Sequence, residues 1–296
     1  MKKEVKGLEK FIIIFIILCI LVLLEIIRET HTFKVTHYEI SSAKFNKDMK
    51  EKKIIMISDL HNCVYGKENK KLLTAVKNEH PDYIFVAGDV LIGDLESTLD
   101  IAEDFMKKAQ KTAQVYYANG NHEQRMKELK EKYNGKYEKY KKELEENGII
   151  FLENETVSLN WDGVKTDLTG LEIPLNYYTR FARKQLQLEE MEERIGKKDP
   201  NAYTVLFAHN PTHIETYADW KADLVLAGHL HGGVVRIPFS RGVITPQAVL
   251  FPKYSGGIYK VGDTTMVVSK GLGTHTIKVR LFNQCELVVL HMKGSK

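Results

Sequence analysis

The segment Ile54–His61 reads IIMISDLH, four apolar residues followed at once by polar side chains that include Asp59 and His61. A short apolar run bounded by polar residues is typical of a buried β-strand. The pattern recurs four times: Tyr83–Ala87 precedes Gly88-Asp89, Val115–Ala118 precedes Gly120-Asn121-His122-Glu123, Val205–Ala208 precedes His209, and Leu224–Ala227 precedes Gly228-His229-Leu230-His231. Because open α/β folds place their sites where strand ends meet, the sequence predicts one site built from all five loops.

The candidate metal ligands in these loops are three Asp or Asn side chains and four His, with no Cys. They are Asp59, His61, Asp89, Asn121, His209, His229 and His231. Mixed imidazole and carboxylate ligands suit Mn, Fe or Zn better than Ca, with Mg as a further option. Seven ligands exceed one tetrahedral site. They suit two divalent ions that share a carboxylate, an arrangement that stabilises both the attacking and the leaving oxygen in phosphoryl transfer.

The five motifs, in this order, resemble the calcineurin-like metallophosphoesterases. The resemblance runs from about Ile54 to the C-terminus, and the tail Val268–Gly273, followed by Lys278–Leu281, looks like a bacterial membrane-associated subgroup. Each motif is weakly specific alone, but five in order are strongly specific. The resemblance implies an α/β fold: a four-layer sandwich of two mixed β-sheets flanked by helices.

The resemblance also implies a role for each residue. Asp59, His61 and His231 would hold the first metal, Asn121, His209 and His229 the second, and Asp89 would bridge both. His122 would not bind metal. It would act as general acid on the leaving-group oxygen or stabilise charge on the phosphoryl group, while a hydroxide between the metals attacks phosphorus in line. Histidine can carry a proton near neutral pH, which suits this acid role.

The N-terminus contains a second strong feature. Phe11–Ile27 is apolar except for Glu25. The length of this segment is at the low end of the range for a membrane span. No small-residue cleavage site follows, so we expect an uncleaved anchor. Four lysines precede the segment, and Arg28, Lys34 and Lys44 follow it, a slight bias that favours an extracytoplasmic catalytic domain in the cell membrane. The expected division is a cytoplasmic segment 1–10, an anchor 11–27, a linker and entering strand 28–52, and a metallophosphoesterase domain 53–296.

Between the motifs, the periodicity predicts helices over Lys67–Glu79, Leu95–Ala109 with Asp94 as cap, Glu123–Asn147 with a break at Gly135, and Thr179–Arg194. The period then shifts to that of strands: Ile149–Leu152, Thr156–Trp161, Thr166–Leu171, Val234–Ile237, Gly257–Val261, Thr265–Val268, Lys278–Leu281 and Leu287–Leu290. Asp162-Gly163 predicts a hairpin turn between two of them.

Several other residues are ambiguous. Glu123 fits a partner of a ligand or a helix N-terminal acid better than a ligand. His213 could share a helix face with His209, and His275 could contact substrate, although a structural role is the simpler interpretation of both. The stretch Ser240–Tyr254 could border the substrate or be an ordinary surface hairpin. The three cysteines predict no disulfide framework, and Cys63 is expected to be a small buried residue.

The sequence therefore predicts a membrane-anchored dimetal phosphohydrolase that cleaves a phosphodiester or pyrophosphate, with a lipid-linked substrate as one option. A nuclease or nucleotide phosphodiesterase is the enzymatic alternative, for which only Lys127–Lys142 offers a basic stretch. The net charge of +4 is too small to indicate nucleic acid by itself. A catalytically silent binding scaffold is the third option, and the complete set of ligands argues against it.

Overall fold

The computed structural model describes residues 2–179, 184–237, 242–245, 249–274 and 278–295. In chain order the elements are α1 (Lys2–His31), β1 (Phe33–Ser42), β2 (Lys52–Ile57), α2 (Lys70–Asn78), β3 (Tyr83–Ala87), α3 (Asp100–Gln110), β4 (Gln114–Ala118), α4 (Asn121–Glu128), α5 (Lys136–Glu146), β5 (Ile150–Phe151), β6 (Thr156–Trp161), β7 (Val164–Gly170), α6 (Leu188–Ile195), β8 (Tyr203–Phe207), α7 (Ile214–Asp219), β9 (Leu224–Ala227), β10 (Val235–Arg236), β11 (Gly242–Ile244), β12 (Gly257–Val261), β13 (Thr264–Val268) and β14 (Cys285–Gly294). Short 3₁₀ helices cover Lys67–Asn69, Leu175–Tyr178 and Pro211–His213.

Two mixed six-stranded sheets pack face to face. The first has the order β1-β14-β2-β3-β4-β5, and the second has the order β12-β13-β9-β8-β7-β6. Successive side chains of a strand point to opposite faces. In β2, Ile55 therefore faces the helices while Met56 faces the second sheet. Both faces of the sheet are covered by apolar side chains, so the sequence of β2 does not alternate between apolar and polar residues.

Three hydrophobic clusters separate four layers and confirm the predicted sandwich. The first lies between the first sheet and α2 to α5, and it includes Val86 and Phe105. The second lies between the sheets, where the rings of Phe85 and Phe207 are 5.1 Å apart. The third lies between the second sheet and α6 and α7, and it includes Tyr217.

The predicted strand ends and the hairpin are confirmed. β2, β3, β4, β8 and β9 coincide with the five predicted apolar runs to within two residues at each end. Asp162 and Gly163 have φ of 51° and 91°, and Trp161 pairs with Val164 across the turn. Two positive φ values in a two-residue loop match the twist of the flanking strands, which explains the Asp-Gly pair.

Several helix predictions were wrong in extent. α3 begins at Asp100 and not at Leu95, because Asp94 accepts a hydrogen bond from the backbone N–H of Ser97 and forms a local turn instead of a helix cap. The segment predicted as one helix after His122 forms α4 and α5, and Gly135 marks the break, as expected, with φ of 66°. Only Leu188–Ile195 is helical in the last predicted helix, of which residues 180–183 lie outside the described residues.

The predicted strand Lys278–Leu281 was also wrong. Within this segment, Leu281 forms only an isolated bridge with Val235. The side chain of Arg280 in this segment is buried and donates hydrogen bonds to the carbonyl oxygens of several loops. Those contacts hold the segment as a loop across the end of the sheet.

The helix α1 connects to the domain through a single residue, Thr32. β1 then pairs in parallel with β14 over ten residues, from Phe33 opposite Cys285 to Ser42 opposite Gly294. Ten of the 25 residues expected as a linker and entering strand, 28–52, therefore form a strand of the first sheet. Gly7–His31 is long enough to span a membrane, and its mean hydropathy of 3.1 is that of a membrane span. The rest of the chain does not bury its most apolar stretch. A signal sequence meets the same criterion.

Candidate metal centre

The loops that follow β2, β3, β4, β8 and β9 meet where the two sheets end at one rim. The backbone N–H of Asp59 donates to the carbonyl of Gly88 at 3.0 Å, within the first sheet. The N–H of His229 donates to Oδ1 of Asp59 at 3.0 Å and connects the second sheet to the first. All seven candidate ligands and His122 are buried at this junction. The structure thus brings together all seven candidate ligands and His122.

The loop backbone at this junction is strained. Asp59, His61, Asp89, His229 and His231 all have left-handed φ, between 46° and 69°. Such angles are uncommon for residues with a Cβ, and each is held only where the surroundings impose it. Backbone strain concentrated in five neighbouring residues is characteristic of a functional site.

Two glycines allow the loops to approach the carboxylates. A Cβ on Gly120 would overlap Oδ1 of Asp89, and a Cβ on Gly228 would overlap Oδ2 of Asp59. These two glycines therefore allow close packing around the two acids.

The candidate ligand atoms form two groups. In the first, one atom from each of Asp59, His61 and His231 lies within 4.8 Å of the others, and the two imidazole Nε2 atoms are 3.1 Å apart. In the second, Asp89, His209 and His229 meet the same limit. Nε2 of His209 is 3.1 Å from Oδ2 of Asp89.

Asn121 precedes His122 at the N-terminus of α4. Its Oδ1 atom is buried, and among the described residues none donates a hydrogen bond to it. A buried amide oxygen rarely lacks a partner. A cation bound beside this oxygen would satisfy it.

The hydrogen bonds of two histidines determine where their lone pairs point. Nδ1 of His231 lies 3.0 Å from the carbonyl oxygen of Gly273, and Nδ1 of His209 lies 2.6 Å from that of Ala87. A carbonyl only accepts, so each Nδ1 carries a proton, and in the neutral ring Nε2 presents a lone pair to the cluster. Metal-binding histidines are usually oriented in this way, by a backbone carbonyl on the other ring nitrogen.

The ionisation of the cluster reflects its burial. Burial raises the pKa of Asp59 to about 6, and the charge of Asp89 adds to the effect. Burial alone would lower the pKa of His209, but the charges of Asp89 and Asp59 outweigh it and raise this pKa to about 10. Burial would also raise the pKa of Asp89, yet His209, His122 and His61 together hold it well below its usual range. Two buried acids thus depend on nearby positive charge, which divalent cations can supply.

His122 has the opposite tautomer. The backbone N–H of Gly93 donates to its Nδ1 at 2.8 Å, so in the neutral ring the proton is on Nε2. Nε2 lies 4.0 Å from Oδ2 of Asp89 and faces the cluster. His61, Asp89 and His122 satisfy the distance limit for a third ligand group. The tautomer argues against that use, because a metal ligand needs a lone pair where His122 presents a proton.

Glu123 holds the loops after β3 and β4 together by accepting hydrogen bonds from their backbone, and so acts as a partner of the ligands. Its carboxylate accepts backbone N–H groups of Asp89 at 2.9 Å, Val90 at 2.8 Å and Gly120 at 3.0 Å, and the hydroxyl of Tyr117 at 2.8 Å. Burial and the charge of Asp89 nevertheless raise the pKa of Glu123 to about 7. This one side chain therefore connects the loop after β3 to the loop after β4.

We expect Glu123→Ala to lower the free energy of unfolding by about 3 kcal/mol or more, because it leaves several buried N–H groups without an acceptor. Urea unfolding of the full chain in detergent micelles measures this. Glu128→Ala, on the same helix but exposed, is the control and should change the free energy of unfolding by less than about 0.5 kcal/mol. Equal stability of the two variants would contradict this role of Glu123.

Two further residues at the rim had no signal in the sequence. The ring of Tyr178 meets that of His229 edge-on at 4.9 Å between centroids. Burial, with the charges of nearby acids, raises the pKa of Tyr178 well above its usual value, so the phenol stays protonated. Arg280 donates to the carbonyl oxygens of Lys270 at 2.7 Å and Gly273 at 2.8 Å, which places the carbonyl that orients His231.

His213 lies outside the ligand groups found among the described residues. It is buried, and its Nδ1 accepts the N–H of Leu186 at 3.3 Å. Its role is therefore structural. His275, Ser240 and Arg241 lie outside the described residues. Cys63 is partly buried, and burial raises the pKa of its thiol, which does not favour a nucleophile.

His213 should contribute a pH dependence to stability. Burial lowers its pKa from 6.5 to about 4 although Glu190 and Glu215 oppose the shift, so between these values the unfolded chain binds a proton that the folded chain does not. Stability is then lost as pH falls from about 6.5 towards 4, by up to roughly 3 kcal/mol.

The variant His213→Gln keeps an acceptor for Leu186 but cannot ionise. Its melting temperature should fall less than that of the wild type from about pH 7 to pH 5. His80→Gln, at an exposed position, serves as the control and should follow the wild type. Parallel curves for the wild type and His213→Gln would exclude this contribution.

The family model for calcineurin-like phosphoesterases matches residues 52–233, more than half of the chain and all five ligand-bearing loops. The chain belongs to this family. The phosphoesterase is therefore a metal-dependent hydrolase of a class that uses two metal ions, and the candidate ligand groups fit that class.

Relatives of the phosphoesterase include two bacterial proteins. An uncharacterized metallophosphoesterase of Campylobacter jejuni is 29% identical over 255 residues, which are 83% of this chain but only 60% of that protein. The uncharacterized metallophosphoesterase YkuE of Bacillus subtilis is 24% identical over 275 residues, 90% of this chain and 88% of that protein. Among solved structures, the phosphopantetheinyl hydrolase of Mycobacterium tuberculosis aligns with a TM-score of 0.46 and 15% identity, over 75% of this chain and 90% of that one.

Proposed function

We propose that this phosphoesterase is anchored in the cell membrane by α1 and hydrolyses a phosphodiester or pyrophosphate bond, with a lipid-linked molecule as substrate. The observation that carries the catalytic part is the opposite tautomeric state of the buried histidines. In the neutral ring, Nε2 of His209 and of His231 would present a lone pair to a cation held by the acids, whereas the neutral ring of His122 presents a proton to the same space. One rim thus offers metal ligands beside a proton donor, which is what ester hydrolysis requires.

The assignment of ligands follows the two groups. Asp59, His61 and His231 would hold one cation, Asn121, His209 and His229 would hold the other, and Asp89 would contribute to both. The central position of Asp89 rests on the distances from its Oδ2, 3.1 Å to Nε2 of His209 and 3.9 Å to Nε2 of His61. When bound, two divalent cations, with Mn, Fe or Zn preferred and Mg as a further option, lower the pKa of water and stabilise negative charge on the phosphoryl group.

The proton for the leaving group comes from His122. The N–H of Gly93 holds the ring so that the proton stays on Nε2, and Asp89 accepts the backbone N–H of His122 at 2.8 Å, which fixes the start of α4. Tyr178 supplies a second donor, since its hydroxyl stays protonated beside His229. These groups orient a phosphoryl oxygen and protonate the oxygen that leaves.

The membrane part of the proposal rests on α1. Its apolar stretch is long enough to span a bilayer, and a single residue separates it from β1. The slight excess of lysine before it favours a catalytic domain outside the cytoplasm. A site held this close to a bilayer is suited to substrates that are themselves in the membrane.

The test is hydrolysis of paired chromogenic mono- and diesters by the full chain in detergent, first stripped of metal and then supplied with Mn, Fe, Zn or Mg. We expect no turnover after stripping and recovery with at least one cation, with a diester preferred. Protein that binds two ions but cleaves no ester, including esters in lipid extracts, would reject the proposal in favour of a scaffold.

The structure offers little support for the nuclease alternative. In the stretch Lys127–Lys142, four lysines pair with carboxylates: Lys127 with Glu172 at 2.8 Å, Lys130 with Glu138 at 3.6 Å, Lys141 with Glu153 at 3.1 Å and Lys142 with Glu146 at 3.8 Å. A stripe of uncompensated positive charge is the usual electrostatic signature of nucleic-acid binding. These lysines do not form one.

A further inference from the structure

The end of α1 is fixed to the catalytic domain. The carboxylate of Glu29, in the last turn, accepts the backbone N–H of Asn283 and is only 3% exposed. Gln284 donates to the hydroxyl of Thr32 at 2.9 Å. With a single residue between α1 and β1, these bonds hold the domain in one position relative to the helix end.

The same contact reaches the metal centre. The side-chain amide of Asn283 donates to the carbonyl of His231 at 2.7 Å and to that of Gly233. Asn283 therefore contacts both the end of α1, at Glu29, and the loop that carries the candidate metal ligand His231. Wherever α1 leaves the bilayer, the loop of His231 therefore lies close to that point.

A small ribbon extends from this contact. We call it the rim ribbon and define it as residues 234–237, 242–245, 249–251 and 281–282. Backbone hydrogen bonds connect Arg236 to Leu281 at 3.0 Å, Val234 to Ile244 at 2.7 Å and Phe251 to Val243 at 2.8 Å. Four neighbouring segments at about 4.8 Å spacing span roughly 15 Å, so the whole ribbon lies close to the end of α1.

The rim ribbon concentrates exposed apolar side chains. Outside α1, ten large apolar side chains are exposed among the described residues, and half of them lie in the ribbon: Ile237, Val249, Leu250, Phe251 and Phe282. Leu250, at 63% exposure, exceeds the other nine. Single exposed apolar residues are ordinary, whereas a cluster this dense marks an interaction surface.

The charge of this part of the sequence is equally biased. Residues 224–262 contain no Asp or Glu, although the chain has 39 of them, and they contain Arg236, Arg241, Lys253 and Lys260. In the structure Lys253 pairs with the exposed Glu215 at 3.4 Å, and Arg236 donates to the carbonyl oxygens of Gly232 and Ser255. A stretch whose own sequence carries apolar and basic but no acidic residues matches the interface of a bilayer that contains anionic lipids. A bilayer is also the occupant that α1 already brings to this point.

We propose that the rim ribbon inserts its apolar side chains into the membrane interface, in the leaflet where α1 ends. The membrane then has two contacts with the protein, and the mouth of the metal centre is held at the level of the lipid headgroups. A phosphoester attached to a lipid enters without leaving the bilayer. This inference rests on the proposed function in one respect, that α1 spans a membrane.

The test is depth-dependent quenching of tryptophan fluorescence. The full chain is placed in nanodiscs of phosphatidylcholine and phosphatidylglycerol, with or without bromine on the acyl chains. Tryptophan is introduced singly by Leu250→Trp and Phe282→Trp in the ribbon, Leu18→Trp in α1 and Leu129→Trp at an exposed position after α4. Trp161 and Trp220 are buried in the domain, and the wild type gives their background.

We expect brominated lipid to quench the emission of the ribbon tryptophans and of the tryptophan at position 18, and to leave position 129 at the wild-type level. Quenching at position 18 with none at 250 and 282 would overturn the inference. No quenching at position 18 would overturn it too, by removing the membrane anchor.

Hydrolysis of a soluble chromogenic ester is measured on the same nanodiscs. Activity with an unquenched ribbon would reject the membrane contact and keep the phosphoesterase function. Quenching of the ribbon in a chain that cleaves no ester would keep the membrane contact and reject that function.

Discussion

The variant Asp89→Asn is expected to lose phosphoester hydrolysis by roughly 10³-fold in kcat/KM, about 4 kcal/mol of transition-state stabilisation. Oδ2 of Asp89 lies 3.1 Å from Nε2 of His209, and its Oδ1 accepts the backbone N–H of His122 at 2.8 Å. Asparagine keeps the size and one acceptor, so the loops remain folded. It removes the negative charge shared by the two ligand groups, and both cations should bind more weakly.

The measurement combines steady-state kinetics with the metal content after gel filtration. Asp94→Asn is the matched control, because it makes the same change on the same loop at an exposed position. The control should keep wild-type kinetics and metal content. An Asp89→Asn protein that retained both would show that Asp89 does not bridge the two groups.

The variant His122→Ala is expected to lower kcat by roughly 10²- to 10⁴-fold, the range for loss of a positioned general acid. The loss should depend on the ester. A nitrophenolate leaves without help, whereas an alkoxide needs the proton that the Gly93 contact keeps on Nε2. If His122 is a general acid, the loss grows as the pKa of the leaving group rises. If it only stabilises charge on the phosphoryl group, the loss is similar for all esters.

A series of aryl and alkyl diesters of graded leaving-group pKa separates these two roles, and metal content confirms that the centre is intact. His80→Ala, at an exposed position, is the control. Wild-type kcat in His122→Ala for every ester would remove this residue from the chemistry.

The main local features of the site could be predicted from residues 54–61 and their four counterparts. An apolar run followed by Asp or His indicates a buried strand with a candidate ligand after it, and only neighbouring residues are needed to recognise this pattern. For this reason β2, β3, β4, β8 and β9 were predicted correctly. The start of α3 could not be predicted in this way. Asp94 can cap a helix or close a local turn with Ser97, and short-range pattern does not decide between competing local hydrogen bonds.

The sequence by itself determined which side chains are present at the rim and that strand ends carry them. The tertiary structure decided what each histidine presents to that rim. The carbonyl of Ala87 lies 122 residues from His209, and that of Gly273 lies 42 residues from His231, and each keeps a proton on Nδ1 of its histidine. The N–H of Gly93 instead donates to Nδ1 of His122, so the proton of that ring is on Nε2. Glu29 reaches Asn283 across 254 residues to join the helix α1 to the same rim. These contacts form only when the two sheets and α1 pack together, because a donor and an acceptor far apart in the chain leave no periodic trace in the sequence.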